Sequence, residues 1–179
     1  MAKQNPKVRK TLGALRELAR VTSILVDGEE AGRILEGDTA HYIAHPDPKH
    51  RYLALDHFVV DHEPFLRMKK TLQRLAMLVD FRCSTCLYLK LDGLEDRVVP
   101  LVQNGNMGRY YSFGANSAEL RPEMIECLET GEVVEAPLGD DSRTLTVLAP
   151  VSDSLGDRVG FVELSAPHPI RSKIEPGYN

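Results

Sequence analysis

Tryptophan is absent, and aromatic residues make up only 6% of the 179-residue chain. So thin a supply builds no platform on which nucleic-acid bases stack. Nor is there a surplus of cations: 22 Lys and Arg face 26 Asp and Glu, for a net charge of −4. Without a global basic field, no nucleic acid is expected as a partner. Apolar runs fall well short of the roughly 20 residues that a membrane-spanning helix needs. The opening MAKQNPKVRK is basic but leads into no apolar segment with a small-residue cleavage site. The expectation is therefore a cytoplasmic chain with no membrane partner. Cysteine is scarce, and three residues, an odd number, argue against a disulfide framework. There is no internal repeat or low-complexity tract. What is present, 42% hydrophobic and 27% charged residues, suffices for one domain with a sizeable core.

The first half reads as helices. Val8, Leu12, Leu15, Leu18, Ala19, Val21, Ile24 and Leu25 recur every three or four positions, an amphipathic helix ending near Asp27-Gly28. A shorter helical segment over 29–35 follows. From 38 to 61 the chain reads as a connector with a helical turn near 52–58; Pro46, Pro48 and five of the six histidines fall between His41 and His62. Asp61 then has the look of an N-cap, with Glu63 and Pro64 in the first turn. Phe65, Met68, Leu72, Leu75, Ala76 and Val79 form the buried stripe of the next helix, with Arg67, Lys69, Lys70 and Arg74 on its wet side.

Strands follow. Leu87, Leu89 and Leu91 alternate with Cys86, Tyr88 and Lys90, and 97–103 supplies the next strand. Asn104 to Gly108 is a turn-rich loop, and 109–113 is a short strand or ordered loop. A helix opens between Ser117 and Arg121, with Pro122 in its first turn and Gly131 just past its end. Residues 133–136 are a short strand. RTLTVLAPVSDSLGDRVGFVELS, from Arg143 to Ser165, closes the chain as a hairpin. Leu145, Val147, Ala149 and Val151 share a face of its first strand; Val162 and Leu164 share one face of its second, with Val159 and Phe161 on the other.

In this order of elements, LAPVSDSLGDRVGFVELS resembles the last hairpin of the PAS, GAF and Cache group of sensor domains, and LETGEVVEAP is similar to the helix exit before it. DHEPFLRMKKTLQRLAML followed by CSTCLYLKLDG resembles the helix-to-first-strand junction in sensor regions of bacterial histidine kinases and diguanylate cyclases. The resemblance implies an α+β fold, a central antiparallel sheet of five to six strands flanked by helices, with an N-terminal amphipathic helical extension. The expected organisation is a helical extension and connector over 1–60, a sensor-like domain over 61–167 and a tail over 168–179. It further implies a non-catalytic sensory or regulatory domain that binds a small molecule and signals through a protein partner or a homodimer made by the N-terminal helix. Two alternatives stay open: a cysteine-dependent redox enzyme on a GAF-like fold, and an interaction module without ligand.

Tyr88, Tyr110, Tyr111 and Phe113 are the candidates to line a ligand cavity, with Arg109 or Arg143 orienting an anionic group. No catalytic residue or cofactor is assigned. Cys83-Ser84-Thr85-Cys86 has the spacing of a redox pair or half a zinc site, yet it runs straight into a strand, and no second CxxC completes a zinc set. An early strand start puts the two thiols on opposite faces, which favours buried structural cysteines. Cys127, mid-helix, reads as core. The histidines raise metal binding or pH sensing against the simpler reading of a polar connector, and no metal ligand is assigned. The cations of the third helix read as a solvated face.

Overall fold

The computed structural model describes residues 5–34, 62–90, 93, 95–105, 117–138 and 142–171. The connector over 38–61 with its Asp61 cap and histidines, most of the loop after Asn104, and the end of the chain beyond 171 lie outside them.

Asn5 opens the first helix: its Oδ1 accepts from the Lys7 amide at 3.0 Å, and Pro6 follows where no amide hydrogen is missed. Helix α1 spans Pro6–Leu25 and buries Val8, Leu12, Leu15, Leu18, Ala19 and Thr22. Val21, Ile24 and Leu25 are exposed, so the expected stripe is narrower in the last turns. Thr22 fills the stripe instead, its hydroxyl donating to the Leu18 carbonyl at 2.8 Å. Asp27 caps α2, Gly28–Arg33, accepting from the amides of Glu29 and Glu30. Helix α3, His62–Ala76, buries Met68, Leu72 and Leu75, with Phe65, Ala76 and Val79 packed beside them.

The strands are β1 (Ser84–Lys90), β2 (Arg97–Gln103), β3 (Ala118–Glu119), β4 (Val134–Glu135), β5 (Thr144–Ser152) and β6 (Arg158–Pro167). Helix α4, Pro122–Thr130, lies between β3 and β4, with Pro122 in its first turn and Gly131 closing it at φ 69°. The strands form one antiparallel sheet in the order β3-β2-β1-β6-β5-β4. The architecture is α+β, as the sequence predicts.

Both sheet faces are covered. On the first, α1, α2 and α3 meet Leu87, Leu89, Val99, Leu145, Val147, Ala149, Val151, Val162 and Leu164 in one core. On the second, Met124 and Cys127 of α4 pack with Val98, Val134, Leu148 and Phe161. Helix α1 therefore lies on its own sheet, against β5 and β6, and the stripe assigned to a dimer contact is buried there.

The β1–β2 register shifts between Leu87, which pairs with Val102, and Tyr88, which pairs with Pro100; β5 carries two further irregularities. The β5–β6 register shifts so that Val151 pairs with Gly160 and Ser152 with Arg158. Val159 is the extra residue of this bulge and turns to the first face, beside Gly28, instead of sharing the face of Phe161. Pro150, with no amide hydrogen, sits inside β5. Thr146 accepts from Ala136 across the β4 edge, so Pro150, two pairs along, turns its nitrogen toward the same edge beyond the end of β4.

Candidate functional site

Strand pairing arranges the second face in rows. Pro100, Tyr88, Phe161 and Pro150 lie side by side across β2, β1, β6 and β5; the neighbouring row is Gln103, Cys86, Glu163 and Leu148. One row further, Ser84, Ser165 and Thr146 align. An aromatic and proline strip thus adjoins a polar one, in the middle of the sheet rather than at its rim. Tyr88 is stacked on Phe161 with ring centroids 5.1 Å apart and planes inclined by 19°. Tyr88, Gln103, Thr146, Glu163 and Ser165 are half-buried.

Arg121, the residue before α4, ties the helix to this face. Its guanidinium reaches Glu163 at 3.0 Å and Glu123 at 3.1 Å. Glu123 stands in the first helical turn, where the exposed amides favour a carboxylate. Ser165 Oγ lies 3.4 Å from the other oxygen of Glu163. Cys86 and Tyr88 stand two residues apart on the same face of β1, in the rows of Glu163 and Phe161. Burial pushes the Tyr88 phenol well above its ordinary range, and the adjacent Cys86 and Glu163 add to the effect. The hydroxyl is a neutral donor at any physiological pH.

The cysteines are buried and unpaired. Strand β1 begins at Ser84, so Cys83 joins the first-face core while Cys86 points to the second face. Burial raises the thiols of Cys83, Cys86 and Cys127 to about 11, 12 and 12, respectively. Reactive thiols need the opposite shift. At neutral pH the thiolate is a trace species at all three positions, and the geometry gives the redox alternative no support.

Of the residues singled out as cavity-lining, Tyr88 lies on this face. Arg109, Tyr110, Tyr111 and Phe113 fall outside the described residues. Arg143 is exposed just before β5, where its carbonyl accepts from the His168 amide at 2.7 Å. Seven residue steps of strand separate it from Pro150, the level of Tyr88, a span of roughly 23 Å. Tyr88 and Arg143 do not share a site. Among the described residues the cation beside Tyr88 is Arg121. Sequence reading missed Cys86, Glu163 and Arg121 as neighbours of Tyr88, although one signal was present: a glutamate in the midst of the apolar run GFVELS.

A second cleft of about 220 Å³, which shares Pro150 with the Tyr88 row, opens between α1 and the α4–β4 connection, lined by Arg16, Arg20, Ser23, Gly131, Glu132, Val133 and Pro150. Its arginines are already paired, Arg16 with Glu135 and Arg20 with Glu17. Among the described residues no group of three or more metal-ligating side chains comes together, and no helix is long and apolar enough to cross a membrane. No protein-family model matches the chain, and no curated protein matches it either.

Proposed function

We propose that this chain is a non-catalytic sensory or regulatory domain of the PAS, GAF or Cache type, which holds a small molecule against the second sheet face beside Tyr88. The observation that carries the reading is the polar strip on the central strands. The part of a sheet face that a helix covers is mainly apolar; here Gln103, Glu163, Ser165 and Thr146 are half-buried on it, next to the Tyr88–Phe161 stack. Such a surface suits a ligand with a flat apolar body and a hydrogen-bonding edge. Arg121, Glu163 and the Tyr88 hydroxyl are the groups to orient it.

Signalling follows from position. Arg121 links the ligand face to the start of α4, and Phe161 belongs to a strand whose opposite face, at Val162 and Leu164, packs in the core that includes α1. A ligand that favours one arrangement of these elements shifts the population read by a second copy or a signalling partner. A near-complete switch requires a differential affinity of about 5 kcal/mol. The exposed Val21, Ile24 and Leu25 at the end of α1 are the surface left for that contact.

Native mass spectrometry of the freshly purified protein and of Tyr88→Ala tests the reading. The expected result is a non-covalent adduct of a few hundred daltons on the wild type, lost from the variant. A bare polypeptide mass for the wild type, at gentle desolvation, speaks against a resident ligand; an adduct equally retained by Tyr88→Ala speaks against this face.

A further inference from the structure

Among the described residues, charge is distributed unevenly between the two ends of the sheet. At one end of the sheet the β5–β6 turn, with Asp153 and Asp157, lies close to α2 with Glu29; Ser154 bonds Glu29, and Gly28 abuts Ser152. The other end gathers the starts of β1 and β5 and the finish of β6. Helix α1 reaches back to it: Arg16 pairs with Glu135 at the level of Val147, and the ten residues before Arg16 extend about 15 Å further. The second half of α3 arrives there as well. Leu72 accepts from the Thr85 hydroxyl and Gln73 donates to the Asn104 carbonyl, each at 3.4 Å.

Cations converge on this end. Lys7, Arg9 and Lys10 of α1 are exposed, as are Lys70 and Arg74 of α3 and Arg82 and Arg143 at the strand entrances. Among the described residues of these segments, Asp80 is the exposed acid beside them. The same end exposes large apolar side chains: Met77 at 81% and Leu78 at 65% between α3 and β1, and Ile170 at 50% after β6.

We propose that this end of the sheet is a peripheral docking surface for an anionic lipid bilayer. The basic side chains meet the headgroups, and Met77, Leu78 and Ile170 enter the interfacial layer. Exposed aliphatic side chains amid cations separate this reading from a nucleic-acid surface, where phosphates have no use for them and bases call for aromatic platforms. The surface is distinct from the Tyr88 face and does not depend on it.

Co-sedimentation with phosphatidylcholine vesicles, with and without phosphatidylserine, provides the test. Binding is expected only with phosphatidylserine and should weaken as salt is raised. Each basic residue at an anionic surface contributes about fivefold, so Lys70→Glu/Arg74→Glu should bind at least 25-fold more weakly. Both sites are exposed, and an unchanged melting temperature checks that the fold survives. Met77→Ser/Leu78→Ser should also weaken binding, with the salt dependence retained. No binding to the anionic vesicles overturns the proposal. So does vesicle binding indifferent to Met77→Ser/Leu78→Ser together with equal retention on a nucleic-acid column, which would mark a general polyanion surface.

Discussion

Gly160→Val is expected to abolish cooperative folding. Gly160 pairs with Leu89 on one side and Val151 on the other, next to the bulge at Val159. A Cβ there would press into the Tyr88 carbonyl oxygen and lie 3.1 Å from the Leu89 Cα. These neighbours are backbone atoms of a central strand, so neither can swing aside as a side-chain tip would. Relief means separating β1 from β6, on which both cores rest. A loss above about 4 kcal/mol is exceptional for one substitution and consumes much of the ~5–15 kcal/mol by which domains are stable. Gly13, with open space around its Cβ position in α1, is the control: Gly13→Ala should be neutral or stabilising by up to about 1 kcal/mol. A Gly160→Val melt within a few degrees of wild type would refute the described β1–β6 approach.

Phe161→Ala should destabilise by about 3–5 kcal/mol and lower the melting temperature by on the order of 10 °C for a chain of this size. The ring is fully buried among Val98, Met124, Cys127, Val134 and Leu148, and it supports Tyr88 from beneath. Aromatic pairs add about 0.5–1.5 kcal/mol beyond burial, so the alanine removes both a core and a platform. Phe161→Leu retains most of the volume and should cost less than about 1.5 kcal/mol while still depriving Tyr88 of its stack. Loss of the bound small molecule with little loss of stability in Phe161→Leu separates the platform role from the packing role. A cost below 1 kcal/mol for the alanine would mean that the second face is not packed as described.

Much of the fold was legible in the chain because the signals were local. Pro122 and Gly131 bracket α4 by their own backbone constraints, and the alternation through 143–165 places Leu145, Val147, Ala149 and Val151 in one core. Val159 escaped because a bulge shifts the register by one residue, and no periodicity in a single strand announces what its partner will do. Strand β3, two residues long, is too short for any alternation to show. The place of α1 was misjudged for a related reason: an amphipathic stripe states that a helix buries one face, not whether the cover is its own sheet or a second copy.

The candidate site was legible only at Tyr88. Cys86, Arg121 and Glu163 come from β1, the entry of α4 and β6; the antiparallel pairing of β1 with β6 makes Cys86 and Glu163 neighbours, and the packing of α4 on the sheet brings Arg121 to Glu163. Arg143 drew attention by its charge, but its position before the start of β5 removes it from Tyr88. The basic end of the sheet was hidden in the same way, its cations being distributed over α1, α3 and two strand entrances.

Hydrogen–deuterium exchange, with and without the co-purified small molecule added back, addresses the Tyr88 face most directly. Slowed exchange is expected in the peptides covering 84–90, 158–167 and the first turn of α4 at 121–125. Protection confined to α1 and residues 131–133, around the Arg16–Glu132 cleft, or no protection at all, would contradict the account.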